Sequence, residues 1–124
     1  MPTRTTLTEK ELTLIELLQR AGMTSAMAKV VAIISKGEET VSVRIEGLTS
    51  LRQPEVSIVM RELIKRKWVK RRDIKKEGKG RPVHGYTLAV PFADIVKEME
   101  EEQRKKIQET EQTLARLKRL ARGL

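Results

Sequence analysis

Between residues 65 and 81 the chain carries ten lysines and arginines against two acidic residues, whereas residues 1–64 hold eight of each and residues 82–93 hold none. Residues 94–124 are nearly balanced, eight against seven, so the net charge of +9 is concentrated in one short run. Ammonium and guanidinium groups at this density attract polyanions and donate charge-assisted hydrogen bonds to phosphate oxygens. The same density also suits a plain solvated face, and the flanking residues must decide between the two. At its start and just upstream, Arg52, Gln53, Glu55, Ser57, Arg61 and Lys65 are of the types that can contact base edges or phosphate. Arginine pairs bidentately with guanine and glutamine with adenine, a carboxylate accepts from cytosine or repels phosphate, and serine beside helix N-terminal amides holds phosphate.

Other chemistries find no footing in the residues. There is no glycine-rich phosphate loop leading a helix, no nucleophile with a base, and no metal-ligand spacing, so neither an enzyme nor a cofactor is expected. His84 is the single histidine and there is no cysteine, which leaves a metal without partners and excludes disulfides. The first residues lack a signal peptide's apolar run, and no segment offers the ~20 apolar residues of a membrane span. A soluble, cytoplasmic, nucleoid-associated protein is expected. Trp68, Tyr86 and Phe92 are the aromatics, too few and too scattered for a base-stacking platform, and they suit packing.

The positioning elements follow from periodicity and caps. Thr8-Glu9-Lys10-Glu11 has the form of a capping box, leading Leu12, Ile15 and Leu18 to a stop at Gly22. Thr24 caps a second, apolar helix running through Ser35 and ended by Gly37. Residues 38–42 read as a polar connection with room for a brief strand, then a short helix spans residues 43–47 and a turn spans 47–51. Pro54 suits a first helical position, and Val56, Val59, Met60, Leu63 and Ile64 define the buried face of a helix over residues 53–67. Ile58 falls on the opposite face, explained by edge packing or by contact with a thymine methyl. Strands are predicted at residues 68–74 and 83–90, joined by a charged linker with two glycines and a proline. Pro91 opens a long helix from Phe92, in which Ile107, Thr110, Leu114, Leu117, Ala121 and Leu124 alternate by three and four. That spacing is a coiled-coil seam and predicts a homodimer, the other reading being a single charged helix in solvent.

Three helices followed by a basic hairpin give a fold that is mainly α with a small β-hairpin wing (α+β). The expectation is a winged helix-turn-helix DNA-binding domain at residues 1–91 and a dimerisation helix at 92–124. The helix over 53–67 would enter the major groove of double-stranded DNA, and Lys70, Arg72, Lys75, Lys76, Lys79 and Arg81 would follow the backbone from the wing. Arg81, beside Pro82, equally suits a narrow minor groove. The run from Gly47 to Ser57, then Leu63 to Val69, then Gly80-Arg81-Pro82 with Tyr86-Thr87-Leu88, resembles archaeal winged-helix transcriptional regulators of the TrmB-like and MarR/ArsR-like kind. The resemblance covers roughly residues 8–92 and implies a homodimeric transcription factor that contacts operator DNA. It departs at two points: the sugar-binding domain of TrmB proteins has no counterpart, and the glycine common before the first wing strand is replaced by Lys67-Trp68. No effector site carries over. A sequence-independent chromosome-organising protein and a winged-helix protein-interaction module are the competing readings, and the basic run argues against the second.

Overall fold

The computed structural model describes residues 6–74 and 83–124. Among these residues five helices and three short strands follow in the order α1 (Glu9–Arg20), α2 (Ser25–Ile34), β1 (Thr40–Val41), α3 (Ser42–Thr49), α4 (Gln53–Lys65), β2 (Val69–Ile74), β3 (Val83–Leu88) and α5 (Phe92–Arg122). The strands form one antiparallel sheet ordered β1-β3-β2, with Lys70 opposite Thr87, Arg72 opposite Gly85 and Val41 on the far side of Gly85. The chain divides into two compact units, Met1–Phe92 and Ala93–Leu124.

In the first unit α2 is the hub. Ala28 and every residue from Val30 to Ile34 are buried, and the helix meets α1, α3, α4 and β3. A helix apolar on all sides has to be surrounded, so its neighbours each turn one stripe inward. Ile15 and Leu18 do so from α1, Ile45 and Leu48 from α3, and Val56, Val59, Met60 and Leu63 from α4. The capping box of α1 is complete: the Thr8 N–H donates to Glu11 at 2.9 Å and the Glu11 N–H donates to the Thr8 hydroxyl at 3.1 Å. These bonds let the Glu11 carboxylate sit in a buried position beside its own helix N-terminus.

Several predicted boundaries move, each for a local reason. Helix α3 runs past Gly47 to Thr49, because the Thr49 hydroxyl donates to the Ile45 carbonyl at 2.6 Å and accepts from the Leu51 N–H at 3.2 Å. The left-handed residue that ends it is therefore Ser50, at φ 62°. Gln53 takes the first turn position of α4, which puts Pro54 one place later, where its missing N–H is equally harmless. Ile64 is 37% exposed and so lies at the border of the buried stripe rather than in it. The last predicted turn, residues 66–67, is not α-helix: α4 ends at Lys65 with a Schellman motif. The Trp68 N–H donates to the Leu63 carbonyl at 3.1 Å, the Lys67 N–H to that of Ile64 at 2.9 Å, and buried Leu63 and Trp68 provide the apolar pair of that motif.

The same motif ends α1, with Gly22 at φ 106° in the left-handed place and Met23 bonded back to Leu18. In α4 the corresponding place holds Lys67, at φ 65°. A side chain there costs roughly 1–2 kcal/mol, partly offset by the larger unfolded-state entropy of glycine. Lys67→Gly is therefore expected to stabilise the protein by about 1 kcal/mol, and Gly22→Ala to destabilise it by at least as much. Urea unfolding midpoints, taken at one protein concentration, check both signs.

Candidate nucleic-acid interface

Gln53, Ser57, Arg61 and Lys65 recur at intervals of four along α4, which places them in one row on the helix surface. Gln53, Arg61 and Lys65 are exposed and Ser57 is half-buried. Gln53 donates from Nε2 to the Ser57 hydroxyl at 2.9 Å, so these two side chains are held as a pair. Glu55 is occupied differently, since its carboxylate accepts from the Arg52 N–H at 3.3 Å and closes the first turn. Arginine has no acceptor with which to return the bond, so only the glutamate half of a capping box is chemically available here. Arg52 itself is exposed at the helix start.

The row borders a groove of about 610 Å³ whose other wall is the sheet. Gln53, Ser57 and Arg61 line it from α4, and Lys70, Arg71 and His84 line it from β2 and β3. Arg71 was not among the residues singled out by sequence. Its position follows from strand alternation, because Val69 is buried and Arg71, two residues on, shares its face. The charge density of the stretch hid this period of two.

Arg72 lies on the other face, and there its guanidinium is engaged by Glu39. Nη2 donates to the carboxylate at 2.8 Å, and Nε makes a second contact to the same group. Glu39 reaches Arg72 across Gly85, where a Cβ would meet the Glu39 carboxyl carbon and the Ile74 Cδ1 at 2.9 Å each. Gly85 thus supplies the gap through which the pair forms. The guanidinium holds the Glu39 carboxyl below its ordinary pKa, and Glu39 in turn raises that of Arg72. Two further members of the basic stretch also have partners. Arg66 donates to Glu62 at 3.2 Å and lies over the Trp68 ring, 4.9 Å from its centroid, and Asp73 Oδ1 lies 2.8 Å from His84 Nδ1. Among the described residues of the stretch, Lys65, Lys67, Lys70 and Arg71 are exposed and have no ion-pair partner. Lys75, Lys76, Lys79 and Arg81 lie outside the described residues.

The described residues are mainly helical, with a small three-stranded antiparallel sheet and a long C-terminal helix, the architecture of a winged-helix fold. Its fold resembles that of NadR, solved in complex with 4-hydroxyphenylacetate, at a TM-score of 0.51 with 19% identity over 97% of this chain and 91% of that one. The fold is a winged helix. Transcriptional regulator PA4135 (TM-score 0.49, 22% identity, 95% of this chain and 96% of that chain) and Pex from Synechococcus sp. strain PCC 7942 (0.48, 19%, 86% and 88%) are further similar structures. No family model and no curated protein sequence matches the chain.

Within the winged helix, α3 and α4 are the two helices of the helix-turn-helix, and β2 and β3 form the wing. In the second unit, Ile107, Thr110, Leu114, Leu117 and Ala121 are all exposed on α5, at helical intervals that keep them on one side. Among the described residues no helix is long and apolar enough to cross a membrane.

The Glu39–Arg72 pair has a direct test. Because the folded-state pKa of Glu39 is depressed, the pair contributes above the ordinary carboxylate pKa and is lost as pH falls through the folded value. In a carbon-detected NMR titration the Glu39 carboxyl should titrate below an unperturbed glutamate. Arg72→Ala should return it towards the ordinary value, and Gly85→Ala, by pushing Glu39 aside, should do the same in part. An unchanged midpoint in Arg72→Ala counts against the pairing.

Proposed function

We propose that this protein is a sequence-specific, double-stranded DNA-binding transcriptional regulator that acts as a homodimer, with α4 in the major groove and the wing on the DNA backbone. The observation that carries the reading is the groove in which Gln53, Ser57 and Arg61 of α4 face Lys70 and Arg71. A duplex presents base edges flanked by phosphates, and a helix row flanked by cations is the complementary arrangement. The resemblance of residues 8–92 to archaeal regulators supports the same conclusion, as does the fold. Arg61 is the side chain best placed for bidentate contact with guanine, while Gln53 reads adenine once its bond to Ser57 is exchanged. Lys65, Lys70 and Arg71 serve the phosphates. Lys75, Lys76, Lys79 and Arg81 extend the wing's charge, and Arg72, neutralised by Glu39, contributes little. The residues at 92–124 join two copies, and the protein works in the cytoplasm on the nucleoid.

Ile58 stands beside this row. It is 63% exposed, lies one turn before Arg61 and Glu62, and lines a second groove with Thr24, Met27, Arg61 and Lys65. An isoleucine at that place on a major-groove helix meets the C5 methyl group of thymine.

A sequence-independent, DNA-organising role is the second reading, favoured by the internal use of Glu55 and by the Gln53–Ser57 bond, which leave fewer base-reading groups free. The two readings separate experimentally. For a regulator, sites selected in vitro from random duplexes share a motif, and Arg61→Ala lowers the preference for that motif by about 1–3 kcal/mol. Binding that is uniform across sequences and unaltered in preference by Arg61→Ala establishes the second reading instead. Both require affinity that falls steeply with salt, by about 0.9 in log–log slope per phosphate neutralised. Arg71→Ala should flatten that slope by close to one such step and Arg72→Ala by much less. Replacing thymine with deoxyuridine across the selected site should weaken the wild type and leave Ile58→Ala nearly indifferent. Equal losses in the two proteins would place the methyl contact elsewhere.

A further inference from the structure

Beyond Ile95, Val96 and Met99 near its start, the apolar positions of α5 form a stripe in its second half. From Lys97 to Lys106 the helix is almost wholly charged, and Glu100 and Gln103 occupy the two places where the spacing of three and four would continue the stripe. From Ile107 onward the stripe is continuous, with Ile107, Leu114 and Leu117 each more than half exposed and Leu120 beside Ala121 widening it. A soluble helix that leaves this many large apolar side chains in a single line has an occupant for them.

The charges on the same segment say which occupant and which way round. Its first half carries Glu109 and Glu111 and no cation, and its second half carries Arg116, Lys118, Arg119 and Arg122 and no anion. Two copies laid parallel would set four cations against four and two anions against two. Two copies laid antiparallel set the acidic half of each against the basic half of the other.

We infer that α5 pairs with α5 of a second copy as an antiparallel coiled coil over residues 107–124, leaving the charged half outside the overlap. The inference rests on the homodimer reading and specifies its geometry. In antiparallel coils the alternate seam positions meet across the interface. Here they give the layers Ile107 with Leu124, Thr110 with Ala121, and Leu114 with Leu117, each formed twice about the dyad. Every apolar seam residue then meets an apolar partner or a Thr methyl. In the same register Glu111 flanks Lys118 of the other copy, the two lying on the same side of the seam. An antiparallel pairing along the whole of α5 would instead place Leu117 against Glu100 and Leu114 against Gln103, burying polar groups against leucine. The parallel arrangement keeps good leucine layers but forfeits the charge match, and like charges across an interface discriminate strongly against a wrong orientation.

The absence of native cysteine makes single-cysteine variants clean reporters. Thr110 and Ala121 are exposed and small, so Thr110→Cys and Ala121→Cys leave the fold intact. In the proposed register position 110 of one copy lies beside position 121 of the other. It lies about 16 Å along the axis from its own equivalent, beyond the ~7 Å Cα separation that a disulfide can span. Under mild oxidation, an equilibrated mixture of the two variants should give a disulfide-linked heterodimer, and neither variant alone should link. A disulfide in Thr110→Cys alone overturns the orientation, as does a dimer in which the mixture gives no link. Light scattering on the reduced proteins keeps the two claims apart: a monomer overturns the homodimer reading itself, whereas a dimer with the wrong linkage overturns only the antiparallel register.

Discussion

The turn at Lys67-Trp68 fixes the relation between the helix and the sheet that form the candidate interface. Trp68 is 1% exposed, its N–H is bonded back to Leu63 and its carbonyl accepts from the Ala89 N–H at 2.8 Å. One residue therefore completes the C-terminal cap of α4, leads into β2 and closes the base of the hairpin. Its ring also carries the Arg66 guanidinium, so one cation of the basic stretch is placed by cation–π attraction. The left-handed conformation of Lys67 is the strain that this arrangement tolerates, and the buried Leu63–Trp68 contact offsets it. Without so tight a reversal, the row on α4 and the cations on β2 would not share a groove.

Charge in this protein has to be read by partner and by face, and the net value conceals both. Arg66 is held by Glu62 and Trp68, and Arg72 by Glu39, which leaves Lys65, Lys67, Lys70 and Arg71 as the exposed unpaired cations among the described residues of the stretch. The absence of a side chain at Gly85 gives the Glu39–Arg72 pair its room, since a Cβ there would meet the flexible ends of Glu39 and Ile74 and push the carboxylate aside. Exposed ion pairs contribute little to stability, so the consequence of this one is local: it fixes where a wing cation points, on the face away from the groove.

Much of the fold was legible in the sequence because caps and periods are local properties. The Thr8–Glu11 capping box, the Thr24 cap, the stop at Gly22 and the start of α5 after Pro91 all stand where the residues put them. The shifted boundaries depend on contacts that the sequence carries only implicitly. Gly47 suggests a stop, but the Thr49 hydroxyl continues α3, and Ser50 accepts the left-handed place. Lys67 gives no sign of a helix end, because the Schellman turn there is enforced by burial of Leu63 and Trp68 and not by glycine. The candidate interface was legible in outline, through the row on α4, but the choice between Arg71 and Arg72 was not. It depends on which face of β2 is buried and on a carboxylate 33 residues away in sequence.

The glutamines, serines and carboxylates of a helix such as α4 have two uses, and the structure divides them. Glu55 closes the first turn, and Gln53 and Ser57 satisfy each other, so in the free protein the groups suited to base recognition are already hydrogen-bonded. A base contact by Gln53 must therefore replace an existing bond, and its net gain is the difference between the two rather than the whole of either. Arg61 and Ile58 carry no such cost. Arg61 is exposed without an ion-pair partner, and Ile58 is exposed apolar surface whose removal from water is favourable in itself. On the reading proposed above, discrimination along α4 is therefore uneven, strongest where a guanine and a thymine methyl fall under these two side chains and weaker at its N-terminal end.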